Sequence, residues 1–399
     1  MNSSPAGARD RRAALLAGFL GWTLDAFDFF LVVMTLTAIA REFHKSDAAI
    51  TLSLTLTLAF RPVGALIFGL LSDRFGRRLP LMINLVFYAL IEVLTGLSRS
   101  YGAFLVLRAL FGIGMGGEWG VGASLVMEKV PAERRGFFSG LLQQGYAVGY
   151  LLAAGAYWFV FPHWGWRPLF FIGGLPALLA IFVRARVTES EVWLKTRERT
   201  WTGLGRTLWA QFPLFCYLTL LMALMNMASH GTQDLYPTFL QRAWNFGPGT
   251  RSALTAFSMV GALIGGVVFG HWSQRFGRRR TIIVALLAAV LVVPLWAYAP
   301  SLALLSAGAF LMQFFVQGAW GVIPAHITEL APDQVRGALP GFAYQCGALI
   351  AGLLPLAENA TAGHLGYPAA MSLAAASAFV VCALVAALGR ERRGVVYGS

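Results

Sequence analysis

Residues 69–78 read Gly-Leu-Leu-Ser-Asp-Arg-Phe-Gly-Arg-Arg, and residues 270–279 read Gly-His-Trp-Ser-Gln-Arg-Phe-Gly-Arg-Arg. The copies are 201 residues apart, and that offset recurs along the chain. Trp119-Gly120-Val121 answers Trp320-Gly321-Val322, and Glu128 with Pro131 answers Glu329 with Pro332. Arg135, Gly136, Gly140 and Gln144 answer Arg336, Gly337, Gly341 and Gln345. Matches that keep both order and spacing mark an internal duplication, so the fold is to be sought as two copies of one unit.

The solvent of that unit follows from composition. Charged residues make up 12% of the chain and hydrophobic residues 57%, with a mean hydropathy of +0.66. A water-soluble domain carries about 25% charged residues, so this surface faces lipid. Apolar stretches of about 20 residues, each enough to cross a hydrocarbon core of about 30 Å, predict helices. They fall at 13–39, 49–71, 79–98, 101–127, 137–160, 167–186, 211–239, 252–272, 281–299, 302–326, 339–360 and 365–388. With an inside N-terminus, one side of the membrane collects Arg9–Arg12, Arg74–Arg78, Lys129–Arg135, Arg184–Arg206, Arg275–Arg280, Arg336 and Arg390–Arg393. The other side has only Arg41, Lys45, Arg99, Arg167, Arg242 and Arg251. The net charge of +13 is therefore a topology signal that puts both termini in the cytoplasm, and nucleic acid is not expected as a partner. No cleavable signal peptide is evident, and Cys216, Cys346 and Cys382 suggest neither a disulfide framework nor a zinc site.

The chain reads as an all-α membrane protein: twelve transmembrane helices in two parallel six-helix repeats. Residues 1–186 form one half, 187–210 a basic cytoplasmic linker, and 211–399 the other half. This arrangement resembles the major facilitators, whose ligand lies between the halves near the bilayer midplane. The duplicated glycine-and-arginine loop resembles the signature between their second and third helices, with Gly69, Asp73, Arg74, Gly76 and Arg77 expected to serve gating. The second copy has Gln274 at the place of Asp73, which predicts a weaker latch.

An ionisable group deep in a span costs at least about 2.5–3.5 kcal/mol, so each needs a reason. Asp25 and Asp28 stand three residues apart on one face of the first helix, Arg61 lies near mid-membrane in the second, and Glu92 lies in the third. Arg108 and Glu118 are in the fourth. Helix seven carries Asn226, Ser229, His230, Gln233 and Pro237 at spacings of one helical face, continued by Asp234 and Thr238. A polar stripe in an apolar chain predicts a wet cavity beside it, and Pro237 predicts a bend near its outer end. A salt bridge within the bundle is the competing explanation, strongest for Glu92.

The run Asn226-x-x-Ser229-His230-x-x-Gln233-Asp234 with Thr238 resembles the signature of the Jen-type lactate/pyruvate–proton symporters, within the sialate–proton symporter family of major facilitators. Gly21–Phe30, Phe60–Ala65 and Gly112–Glu128 share the likeness, which thus spans most of the first half and helix seven. Val187-Thr-Glu-Ser-Glu-Val-Trp193 departs from it, since relatives often have Ser-Pro after the glutamate. The resemblance implies short monocarboxylates as substrates and carries over Asn226, Ser229, His230, Gln233 and Asp234 as site residues.

The expected function is proton-coupled symport of a small monocarboxylate through the inner membrane by a carrier that works as a monomer. Such an acid is an anion at neutral pH, which assigns Arg61 to its carboxylate through a bidentate fork. Asp28, Asp25, Glu118, Asp234 and His230 are candidates for the proton, with Asp28 and Arg108 expected to form a pair that protonation breaks. A sialic or aromatic acid is the nearest rival substrate. Multidrug efflux suits the charged candidates poorly, and a transporter-fold nutrient sensor would ordinarily add cytoplasmic signalling extensions. No enzyme, metal site or cofactor is expected, because no nucleophile–base pair or metal-spaced ligand set occurs.

Overall fold

A computed structural model describes residues 5–198, 200–233, 236–352, 361 and 364–398. It is helical throughout the described residues. The first half comprises α1 (Pro5–Glu42), α2 (Asp47–Phe75), α3 (Arg78–Leu97), α4 (Tyr101–Lys129), α5 (Arg135–Gln143), α6 (Gly145–Trp164), α7 (Arg167–Ile172) and α8 (Pro176–Arg186). Two short helices follow, α9 (Glu191–Thr196) and α10 (Trp201–Ala210). The second half comprises α11 (Phe212–Gln233), α12 (Tyr236–Arg242), α13 (Pro248–Phe276), α14 (Arg278–Ala297), α15 (Leu302–Leu330), α16 (Leu339–Ala351) and α17 (Tyr367–Leu388). Among the described residues, ten stretches are long and apolar enough to cross a membrane. The fifth span is divided into α5 and α6 at Gln144, and the eleventh is described through Gly352, which completes the twelve-helix architecture.

Local chemistry explains where the helices begin and end, and it repeats with the sequence. Ser100 and Ser301 cap α4 and α15, each hydroxyl accepting the N–H three residues on. The turns out of α2 and α13 pass through Gly76 and Gly277 at φ +102° and +95°, a conformation in which a Cβ would be strained. A carboxylate then satisfies the orphan N–H groups of the next helix. Glu189 accepts from Arg77 and Arg78 at 2.9 and 3.2 Å, and Glu391 accepts from Arg279 at 2.9 Å.

α4 and α15 are the most deeply packed elements. Their segments from Gly116 to Glu128 and from Gly318 to Leu330 are buried without a break. The first turns of α1 and the segment 395–398 lie on the face that carries the glycine-and-arginine loops, called the basic face below. There Asp10 bonds Lys129 and Thr188, while Val395 and Tyr397 meet Arg135.

Candidate functional site

The ionisable groups expected from the sequence converge inside the first half. Asp25, Asp28, Glu92, Arg108 and Glu118 are at most 1% exposed, and Arg61 is 7% exposed. Arg61 owes its position to the close approach of α2 to α4. A side chain at Gly116 would lie on the Arg61 backbone, and the Thr57 hydroxyl, one turn earlier, donates to the Arg108 carbonyl at 3.0 Å. Pro62 lies inside α2, which continues through it.

Arg108 does not pair with Asp28 in this structure. Its Nη1 donates to Glu92 at 2.6 Å, and its guanidinium lies 4.0 Å over the Phe111 ring. The cause is helix adjacency: α3 packs directly on α4, which hands Glu92 to Arg108. The Asp28 carboxylate points toward Gly173, between α7 and α8. Among the described residues, the carboxylates of Asp25, Asp28 and Glu118 have no hydrogen-bond partner. The Arg61 guanidinium likewise leaves Nε and Nη2 unbonded and lies 5.9 Å from the centre of the Tyr344 ring in the opposite half.

Tyr344 belongs to an aromatic floor that the sequence reading did not identify as part of the site. Its ring is 4.6 Å from Trp119, 5.8 Å from Trp320 and 6.5 Å from Trp22, and Trp22 stacks on Tyr146 at 5.6 Å. Trp119 and Trp320 occupy equivalent places in the duplication, so each half contributes one indole to the same tyrosine. The only advance signal was that equivalence.

In the second half the polar face of α11 is in place, but part of it is satisfied within the bundle. Gln233 donates to Gln313 at 2.8 Å, Gln313 donates to the Thr232 hydroxyl at 3.2 Å, and Gln317 donates to Ser229 at 3.0 Å. Ser229, His230 and Gln233 remain half-buried, whereas Asn226 is buried and donates to its own helix at Met222. Asp234 lies outside the described residues. Gln313 and Gln317, one turn apart on a lipid-embedded helix, were the readable signal for α15 and were missed.

The two halves differ in chemistry at equivalent positions. At the 201-residue offset Asp25 and Asp28 correspond to Asn226 and Ser229. Arg61, Glu92, Arg108 and Glu118 correspond to Ala262, Val293, Ala309 and Ala319. In the other direction, Gln313 and Gln317 correspond to Gly112 and Gly116. At these compared positions the first half holds ionisable groups, and the second holds apolar or neutral hydrogen-bonding ones.

The expected gating residues join the halves at the basic face. Asp73 accepts from the N–H groups of Gly337 and Ala338 at 2.7 and 2.9 Å, and it pairs with Arg77. Arg77 also pairs with Glu128 at 2.9 Å. Gln274 makes the corresponding crossing with neutral bonds, accepting from Gly136 N–H at 3.0 Å and donating to the Ala132 carbonyl at 2.8 Å. Arg278 pairs with Glu329 at 2.9 Å. Longer contacts cross between halves, Arg336 to Glu128 at 3.6 Å and Arg135 to Glu329 at 3.7 Å. Gly69 packs against Ala338, and Gly76 forms the turn. Arg74 is half-buried over Phe75 and, among the described residues, makes no ion pair with the other members of this cluster.

The sequence matches the Major Facilitator Superfamily over residues 18–253 and 219–396. It is 28% identical to the carboxylic acid transporter protein homolog of Saccharomyces cerevisiae, over 94% of this chain and 67% of that protein. It is 26% identical to the sialic acid transporter NanX of Escherichia coli, over 89% of this chain and 88% of that one. The probable 4-methylmuconolactone transporter of Cupriavidus pinatubonensis is 27% identical, over 98% and 93% of the two chains. Among solved structures, the proton:xylose symporter XylE superposes with a TM-score of 0.78 at 19% identity, covering 98% of each chain.

Proposed function

The chain belongs to the Major Facilitator Superfamily, and from that premise we propose that it is a proton-coupled symporter of short-chain monocarboxylates of the lactate and pyruvate class. The observation that carries the reading is Arg61. A buried guanidinium with two nitrogens unbonded, placed where the halves meet, is matched to a planar anion that supplies two oxygens. The neutral donors of α11 and α15 suit the acid's keto or hydroxy oxygen, and the aromatic floor suits its small apolar end.

Charge balance supports the proton. Asp25, Asp28, Glu92 and Glu118 share the first half's interior with Arg61 and Arg108. Four carboxyl groups set against two guanidinium groups need protons for neutrality in a low-dielectric core. An arriving carboxylate adds one more negative charge, so uptake of one anion with one proton keeps that balance constant. Asp28 and Asp25 are assigned the proton, with Glu118 next, Arg108 responding through Glu92, His230 contributing from α11, and Asp234 next in the sequence after that helix. Asn226, Ser229, His230 and Gln233 complete the substrate face. The basic face is assigned to the cytoplasm, with both termini there, in the inner membrane.

Uptake of radiolabelled lactate, pyruvate, acetate and sialic acid into proteoliposomes, with and without an inward proton gradient, tests the assignment. Gradient-dependent accumulation of lactate or pyruvate is expected, and equal uptake with the gradient collapsed would refute the coupling. Preferential accumulation of sialic acid would favour the second reading, a larger acid, which the names of the Escherichia coli and Cupriavidus relatives support.

A further inference from the structure

The segment after α17 returns to the basic face, where residues 395–398 lie between the halves. The Tyr397 ring, 8% exposed, lies 3.5 Å from the Arg135 guanidinium carbon and 3.6 Å from that of Arg336. Two guanidinium groups can come this close to one ring centre only from its opposite faces. Arg135 belongs to the first half and Arg336 to the second, and they are equivalent residues of the duplication. One ring therefore serves both halves at a point related by their pseudo-symmetry.

Further bonds fix the segment on both sides of the seam. Arg135 donates to the Val395 carbonyl at 2.6 Å, and Gly398 N–H donates to Asp333 at 2.9 Å. The Tyr397 hydroxyl donates to Thr328 at 3.4 Å. Asp333 in turn pairs with Arg336. Tyr397 also packs in an apolar cluster with Val126, Met127 and Leu142 of the first half and Ala325 of the second.

We propose that residues 395–398 are a strap that locks the basic face closed, with the two faces of Tyr397 holding one arginine from each half. The physical reason is that both faces of a phenol ring attract cations, and the attraction strengthens as water is excluded. Without the ring, Arg135 and Arg336 would face each other across a gap, their like charges offset only by the acids Glu329, Glu128 and Asp333. When the halves part at this face, one arginine must leave the ring, so the strap weights the equilibrium toward the closed arrangement. The proposal rests on the halves moving as alternating access requires, and is independent of which acid is carried.

The test is a distance distribution by pulsed electron paramagnetic resonance, measured without substrate. Spin labels are placed at Glu133→Cys and Arg280→Cys on the basic face, in a chain carrying Cys216→Ser, Cys346→Ser and Cys382→Ser. The parent and Tyr397→Phe are expected to give the same, mainly short distribution, because the ring is kept. Tyr397→Ala, and separately a chain ended after Arg393, are expected to raise the ratio of separated to closed molecules about tenfold or more, from the loss of the one desolvated cation–ring contact that the closed arrangement holds in excess of the parted one. A native distribution in both would overturn the strap. Separation in Tyr397→Phe equal to that in Tyr397→Ala would overturn the role of the ring faces, moving it to the hydroxyl bond with Thr328. Because no transport is measured, failure here and failure of the substrate assignment are distinguishable.

Discussion

Arg61→Lys tests the substrate site at its most specific point. A lysine at this depth keeps the positive charge but cannot present two parallel N–H groups to a carboxylate. Losing one of two charge-assisted bonds is expected to weaken binding by about 2 kcal/mol. The contact with Tyr344, at 5.9 Å, is already made without substrate and so cancels from the change in affinity. About 2 kcal/mol corresponds to roughly a 30-fold rise in Kd. Titration in detergent by intrinsic fluorescence reads it directly, since the Trp119 and Trp22 rings sit 4.6 and 6.5 Å from Tyr344. A Kd for lactate or pyruvate within threefold of the parent would refute the reasoning. If thermal stability fell while affinity held, Arg61 would be a structural cation and the carboxylate would have to be held elsewhere.

Asp28→Asn is expected to abolish proton-driven accumulation yet leave exchange of labelled for unlabelled substrate, and accumulation that still followed the pH gradient would remove Asp28 from the proton's path. Gln313→Ala and Gln317→Ala are each expected to lower uptake about tenfold, with Gln313→Ala non-additive with Gln233→Ala because the two share a bond. Additive losses would mean that the α11–α15 contact is incidental. His230→Ala and Asp234→Asn are each expected to cut transport at least tenfold with normal membrane levels, and normal transport in both would make the polar face of α11 structural. Asp73→Asn weakens two backbone contacts and an ion pair, whereas Gln274→Ala removes neutral bonds. The first is expected to open the basic face more, by roughly 1 kcal/mol, in the label-pair measurement, and the reverse order would refute the difference in latch strength.

The duplication made the architecture legible because packing and turn chemistry repeat with it. Equivalent glycines, serine caps and arginines do equivalent jobs in each half. The candidate site was less readable, since it depends on pairings across helices that sequence does not order. Glu92 makes the salt bridge that its sequence position suggests, but with Arg108, the residue that charge alone pairs with Asp28. The distance from Asp28 to either group depends on how α1 sits against α3, and no periodicity encodes that. Tyr344 looked like one aromatic residue among many in an apolar helix. It takes on meaning only where Trp22, Trp119 and Trp320, from three other helices, reach the same point.

The latch at the basic face has an electrical consequence. On the first-half side its members are Asp73, Glu128, Arg77 and Arg135, two negative and two positive groups. On the second-half side they are Glu329, Asp333, Arg278 and Arg336, again two of each sign. With these side chains in their ordinary charge states, the ion-paired groups on each side of the seam sum to zero. Glu128 keeps Arg77 and Glu329 keeps Arg278, so neither acid is left bare when the longer crossing contacts break. What remains between the parting groups is dipolar attraction, which decays more steeply with distance than attraction between net charges. If the halves part here, as proposed, the seal would release over a short travel, and its own groups would add no net gating charge for the membrane voltage to act upon.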